Sequence, residues 1–229
     1  MPPMVSIRKE DRTMVIGLAR RQNGNALSRS LQRELAEAWR QLEDDDESLV
    51  GVLYGEGDDF CLGHDLPELS NGSGSEADPS PEDGLFPNTL SKPVIAAVEG
   101  ACFGLGFELA LACDLRIAGE GAQFGFPDTD LQVSYRLASA LLPRITTLGA
   151  SLDLLLTGNT MDGSRLERLR LVNRTTPKGQ AIAEALALAS DMARRFGSAA
   201  AFRKEQIWQF AGLPLPTAMS LARTPYNGG

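Results

Sequence analysis

The chain is poor in the residue types that bind metal ions or form disulfides. Its 229 residues include one histidine, His64, and three cysteines, none of them spaced as CxxC. A zinc site draws on several histidine and cysteine ligands, so we expect no metal site. An odd number of cysteines in apolar contexts argues against a disulfide framework and predicts reduced thiols in a cytoplasmic protein.

The sequence also lacks an excess of basic residues and any long apolar run. It has 22 Lys and Arg against 30 Asp and Glu, a net charge of −8 at pH 7. Phosphate binding needs clustered basic residues, so we expect no nucleic-acid partner. No apolar run approaches the ~18 residues that span a bilayer, and MPPMVSIRKE has no secretory core, so we expect no membrane partner.

Three widespread catalytic or nucleotide-binding motifs are incomplete or missing. Residues 104–109 begin like GxGxxG, but Leu109 stands where the third glycine belongs. This excludes the dinucleotide fingerprint. There is no GxSxG and no second histidine, which leaves a serine hydrolase triad unsupported. A GxxxxGK[ST] phosphate-binding loop is missing as well.

What is present is an alternation of apolar strands and helices. Strand-like runs lie at 5–20 (a hairpin around KEDR), 49–55 and 92–100. Ser28 is placed as the N-cap of a helix that should run through about Leu42, and FELALACDLRIAG (107–119) reads as helix and then strand. This alternation predicts an α/β fold with a largely parallel sheet. The Ser, Gly, Pro and acid-rich stretch 70–84 predicts a loop, and from Ala138 onward the chain reads mostly helical.

Four motifs in register give a specific resemblance. They are NALS (25–28), FCLGHDL (60–66), KPVIAAVEGACFGLGFELALACDLRIA (92–118) and AQFGFPD (122–128). In this order and spacing, from about residue 5 to 160, the chain resembles the crotonase superfamily, the enoyl-CoA hydratase/isomerase family.

The resemblance implies a fold, a substrate class and an assembly. It implies a crotonase-like core of repeated ββα units with a thioester pocket over residues 1–160. A shortened helical C-terminal part, 161–229, would belong to the same domain and serve oligomerisation. The substrates would be acyl thioesters, with coenzyme A as part of the substrate and no other cofactor. The chain would form homotrimers or homohexamers.

The resemblance also assigns an oxyanion hole to the backbone N–H groups of His64 and Leu105. A reacting thioester places negative charge on its carbonyl oxygen, and two N–H donors aimed at that oxygen stabilise it. Gly63 would allow the first turn, and Leu105 would open a helix whose N-terminal end favours an anion. We expect the amide of His64 to act in the hole, with acid/base work by its imidazole as the alternative.

Two carboxylates complete the chemistry that the resemblance implies. Adding water to a conjugated double bond needs one group that takes a proton from water and one that supplies a proton to carbon. Glu108 and Asp128 match the two family positions, although Asp128 is one methylene shorter than the glutamate of the hydratases. The alternatives are a helix N-terminal acid at Glu108 and a loop-capping aspartate at Asp128.

Departures from the family pattern leave the exact reaction open. The loop 129–143 replaces a Gly/Pro-rich one, and Tyr135 matches a tyrosine of the methylmalonyl-CoA decarboxylase branch. Pro67 stands where many members have a lysine that touches the coenzyme A nucleotide, so a carrier-protein thioester is an alternative carrier. We therefore weigh a hydratase against a double-bond isomerase, a decarboxylase, a diketone hydrolase and a non-catalytic subunit.

The resemblance assigns further substrate contacts on both turns and beyond them. The predicted contact residues are Ala26, Cys61, Gly63, Asp65, Leu66, Gly104 and Tyr135.

Overall fold

A computed structural model describes residues 3–68, 84–127 and 133–223. Residues 70–83 of the predicted loop lie outside the described residues. The strands are β1 (Val5–Glu10), β2 (Thr13–Leu18), β3 (Val50–Gly55), β4 (Val94–Val98), β5 (Ala101–Phe103), β6 (Leu115–Gly119), β7 (Gln123–Gly125), β8 (Met161–Asp162) and β9 (Arg174–Thr176). The helices are α1 (Arg29–Asp44), α2 (Leu66–Glu68), α3 (Leu105–Ala112), α4 (Arg136–Ile145), α5 (Leu148–Thr157), α6 (Gly163–Arg168), α7 (Ala181–Phe196), α8 (Ala199–Ala211) and α9 (Leu215–Leu221).

The predicted hairpin and first helix are confirmed. β1 and β2 pair antiparallel. Ser28 Oγ accepts the N–H of Leu31 at 3.3 Å, which caps α1 as expected for a serine before a helix. The helix continues to Asp44, two residues past the predicted end. Its apolar residues recur at helical spacing and bury one face, formed by Leu31, Leu35, Ala38, Trp39 and Leu42.

The main sheet is largely parallel, as the alternation of elements predicted. Among the described residues it has six strands in the order β1-β2-β3-β4-β6-β9, parallel from β2 onward. Every residue of β4 is buried. A strand covered on both faces needs apolar residues at every position, which explains why VIAAV shows no alternation.

Each face of the main sheet packs against helices. On one face, a core cluster joins the sheet to α1 and α3. On the other, α7 covers the sheet with a row of buried alanines, Ala181, Ala185, Ala189 and Ala193. Small side chains at every fourth position let this helix lie close to the strands.

A second, smaller sheet brings the later loops beside the first ones. In the described chain it has the order β5-β7-β8. Cys61 forms a parallel bridge with Cys102 of β5, so the chain after β3 runs alongside the chain after β4. Each of the two turns predicted to form the site comes directly after one of these segments in the chain.

The C-terminal segment packs onto the rest of the chain. β8 joins the small sheet, and β9 joins the main sheet. The buried Lys204 of α8 reaches Asp114 Oδ2 at 2.9 Å and the carbonyl of Lys92 at 3.1 Å. No helix in the described part of the chain is long and apolar enough to cross a membrane.

Candidate active site

The first turn of the site follows β3 and lies between two neighbouring segments. On one side Leu62 N–H donates to Gly24, and Leu27 N–H donates to the Gly63 carbonyl at 2.8 Å. On the other side Cys61 exchanges backbone hydrogen bonds with residues 101 and 103. The turn is therefore fixed along both edges.

These bonds set the direction of the His64 amide. The described peptide bonds are all trans. In a trans peptide the C=O and the next N–H point in opposite directions. Because the Gly63 carbonyl points to Leu27, the N–H of His64 points to the opposite side, where residues 101–105 lie.

The second turn opens α3. Gly104 has φ +51° and ψ −124°, a conformation that requires glycine. Its carbonyl accepts the N–H groups of Phe107 and Glu108, both at 3.0 Å. By the same peptide geometry, Leu105 N–H points out of the N-terminal end of the helix, where it has no intrahelical acceptor.

The two turns touch each other. Gly63 has φ +98°, and a Cβ built on it would lie 3.4 Å from Leu105 N and 2.8 Å from the Phe103 carbonyl oxygen. No side chain fits between these turns, so the Gly63 turn lies directly against the backbone that carries Leu105 N–H. An anion here would face the positive end of the α3 dipole.

Two residues that the sequence analysis missed hold the first turn in place. The Arg20 guanidinium forms an ion pair with Asp65 and donates to the Ala26 carbonyl at 2.8 Å. The Asn25 side chain donates to the carbonyls of Glu56 and Asp59. Asn25 has φ +55°, a conformation that asparagine tolerates better than most residues. For Asn25 the available sequence signal was its place at the start of the NALS motif, directly after Gly24.

The predicted contact residues of the first turn differ in exposure. Cys61 and Ala26 are buried, Asp65 is 6% exposed, and Leu66 is 49% exposed. The Cys61 thiol donates to the Asn25 carbonyl at 3.2 Å. Burial raises the pKa of Cys61 to about 12, so the thiol is neutral and is not a nucleophile. Substrate contact by these residues stays a prediction.

Glu108 lies on the first turn of the same helix that Leu105 opens. It is 4% exposed, and its Oε1 accepts the N–H of Ala138 at 2.7 Å. Ala138 is the third residue of α4, so the carboxylate caps the N-terminal end of that helix, which favours a negative charge. The structure thus gives Glu108 a capping contact beside the predicted hole.

The second predicted carboxylate, Asp128, lies outside the described residues. Tyr135 immediately precedes α4 and stacks at a tilt on Phe126, with 4.6 Å between ring centroids. Phe126 in turn lies 5.2 Å from the ring of Phe107. These aromatic residues form one wall beside Glu108 and the start of α4.

Other features of the described chain do not belong to this site. A mostly apolar cavity of about 370 Å³ lies at the opposite end of α3, lined by residues that include Leu111, Cys113 and Trp208. It contains none of the predicted site residues. Among the described residues, no three His, Cys, Asp or Glu side chains are grouped to hold a metal ion.

Comparison with known proteins identifies relatives over most of the chain. Residues 8–225 match the family model described as Enoyl-CoA hydratase/isomerase. The chain is 32% identical to a probable enoyl-CoA hydratase of Mycobacterium bovis over 206 residues, 89% of this chain and 80% of that protein. It is also 32% identical to a mevalonyl-coenzyme A hydratase of Aspergillus fumigatus, covering 79% of this chain and 69% of that protein.

Solved structures show the same architecture. The crystal structure of an enoyl-CoA hydratase from Mycobacterium tuberculosis H37Rv superposes with a TM-score of 0.88 at 31% identity. The superposition covers 96% of this chain and 87% of that one. The predicted fold class is confirmed.

Proposed function

The chain belongs to the enoyl-CoA hydratase/isomerase family, and on that premise we propose that it adds water to the double bond of a 2-enoyl thioester. The carrier would be coenzyme A, since the names of both hydratase relatives specify a coenzyme A thioester. The geometry of the two adjoining turns is the observation that carries this proposal.

The N–H groups of His64 and Leu105 would bind the thioester carbonyl oxygen. As water adds to the β-carbon, the electron pair of the double bond moves onto that oxygen and forms an enolate. Fixed N–H donors stabilise this charge without reorganisation, and losing one such donor costs about 3 kcal/mol. Each of the two amides follows a carbonyl that is bonded elsewhere, Gly63 to Leu27 and Gly104 within α3, which supports this use of the two N–H groups.

Glu108 and Asp128 would move the protons. One carboxylate takes a proton from the attacking water, and one carboxyl group supplies a proton to the α-carbon, so that H and OH add across the bond. Glu108 is supported by its burial on the turn next to Leu105. These proton transfers need no cofactor beyond the coenzyme A of the substrate.

Loss of the enoyl absorbance of crotonyl-CoA tests the proposal. The purified protein should remove this absorbance and add 18 mass units, one water, to the thioester. Enoyl-CoA substrates of increasing chain length should be run in parallel, since the acyl group is not fixed by the fold. No hydration of any enoyl thioester would overturn the proposal and favour a non-catalytic subunit.

A decarboxylase is the second candidate, and the position of Tyr135 favours it. The tyrosine lies against Phe126 at the start of α4. It precedes by three residues Ala138, whose N–H donates to Glu108. In that reaction the same hole would hold the enolate left when CO₂ departs, and Tyr135 would orient the carboxylate. Release of CO₂ from methylmalonyl-CoA, reduced in Tyr135→Phe, would select this reaction over hydration.

A further inference from the structure

We infer that Arg116 is a positioning residue for the proposed reaction, because its buried guanidinium holds the C-terminal end of α3 and so sets Leu105 N–H at the other end. This inference deepens the proposed function and rests on it. Arg116 lies on β6, outside the two turns.

Arg116 is held almost entirely by backbone carbonyls. It is 5% exposed, and its Nε donates to the carbonyl of Leu171 at 2.6 Å. Its Nη1 reaches the carbonyls of Ala110, Leu111 and Cys113. The last three lie at the C-terminal end of α3, where the helix leaves carbonyls unpaired, although the Ala110 carbonyl also accepts the N–H of Cys113 at 3.2 Å.

Two charged side chains, Asp114 and Lys204, lie near the Arg116 guanidinium. Asp114 is the neighbouring acid, but its Oδ2 accepts from Val94 N–H and from Lys204. Burial lowers the pKa of Arg116, which still stays charged because arginine starts from so high a value. Arg116 is therefore a buried cation at the C-terminal, negative end of the α3 dipole.

Helix α3 connects this cation to the predicted hole. The helix has eight residues, all buried, and so spans about 12 Å from end to end. A two-turn helix whose residues are all buried moves as one body. Without Arg116, the carbonyls of Leu111 and Cys113 lose this donor, α3 shifts, and Leu105 N–H moves with it. A misplacement of about 1 Å at a reacting group costs ~100-fold in rate.

Arg116→Met and Arg116→Lys test the inference, with Lys204→Met as the matched control. Lys204 is also a buried cation near the same end of α3, but it bonds to Lys92 and Asp114 and to none of the α3 carbonyls. All three variants should lower the melting temperature. We expect kcat on crotonyl-CoA to fall about 100-fold in Arg116→Met, with KM changed by less than about threefold. The kcat of Arg116→Lys should lie between those of Arg116→Met and wild type. The kcat of Lys204→Met should equal that of wild type.

A spectroscopic signal separates positioning from stability. Butyryl-CoA labelled with ¹³C at the carbonyl cannot be hydrated, and hydrogen bonds from the hole should lower its infrared C=O stretching frequency. This shift should shrink in both Arg116 variants and persist in Lys204→Met.

Two results would overturn the inference, and a third would remove its premise. Arg116 variants that melt earlier but keep kcat and the carbonyl shift would show a purely structural role. The same conclusion follows if no Arg116 variant folds while Lys204→Met does. A wild-type protein that hydrates no enoyl thioester of any chain length would instead refute the proposed function itself.

Discussion

At the scale of single residues, Glu108 has two roles that one substitution can separate. Its carboxylate caps α4 through Ala138 N–H, and we propose that it also moves a proton. A glutamine in its place keeps the size and an oxygen that can accept the same N–H. The substitution therefore removes the acid/base group and leaves the cap.

Glu108→Gln should lower kcat for hydration by about 10²–10⁴-fold while the protein remains folded. The reason is that an amide neither accepts nor supplies the proton. Steady-state kinetics with crotonyl-CoA measure this loss. Glu34→Gln is the matched control, since Glu34 also caps backbone N–H groups, those of Met4 and Val5, away from the site. Full activity in Glu108→Gln would exclude the carboxylate from the reaction.

His64→Ala should keep kcat within about tenfold of wild type, a smaller loss than removal of a general acid or base. The proposal uses the amide of residue 64, and that amide is oriented by the bond from Leu27 to the Gly63 carbonyl. The same kinetic assay measures the variant. A loss as large as that of Glu108→Gln would transfer the acid/base role to the imidazole.

At the scale of elements, the site depends on the contact between two turns. The Gly63 turn lies so close to Leu105 that a side chain cannot enter. The positive φ at Gly63 adds a second demand for glycine. The lack of space and the positive φ therefore both require glycine at position 63.

Gly63→Ala should lower kcat about 100-fold, because the new Cβ would lie 2.8 Å from the Phe103 carbonyl oxygen, push the two turns apart and misplace the amides of the proposed hole. Gly121→Ala is the control for backbone strain alone. Gly121 has φ +91°, close to the φ +98° of Gly63, but nothing lies within 4 Å of its added Cβ. Thermal melting should show a cost of about 1–3 kcal/mol in the control, with kcat unchanged. Equal loss of kcat in both variants would point to strain and not to the hole.

At the scale of the whole molecule, exposed apolar helix faces support the proposed assembly. Leu148, Leu152 and Leu156 recur every fourth residue on α5, with exposed fractions of 64%, 47% and 74%. Ile207 and Trp208 of α8 are exposed as well. Contiguous exposed apolar side chains mark interaction surfaces.

We therefore expect sedimentation equilibrium to give three or six times the mass of one chain. Leu156→Lys should shift this mass toward the monomer, since a buried lysine without a partner opposes association. Gln41→Lys places the same charge on the exposed face of α1 and should leave the mass unchanged. A monomeric wild-type protein would contradict the proposed trimer or hexamer.

The burial of all three cysteines gives a test of the fold itself. Burial raises the pKa values of Cys61 and Cys113 to about 12, and Cys102 is also fully buried. Because the thiolate is the reactive form, iodoacetamide at pH 8 should leave the native protein unmodified. In denaturant, mass spectrometry should find three adducts. An adduct on the native chain would contradict the packing around these thiols.

The sequence by itself determined the order and type of the main elements. Apolar runs such as VIAAV, the N-cap Ser28 and the helical spacing after it are local signals, and each follows from short-range physics. The GLG turn before Phe107 likewise indicated where α3 begins. The four motifs in register identified the family, and comparison confirmed it.

Only the tertiary structure decided what lies against these elements. The Ala138 amide bound by Glu108, the Arg20–Asp65 pair and the Arg116 carbonyl contacts join residues that are far apart in sequence or on different elements. No local pattern specifies such partners, because they depend on how the sheet stacks and in which register the loops meet. The direction of a backbone N–H is decided in the same way, by the distant group to which the preceding carbonyl is bonded.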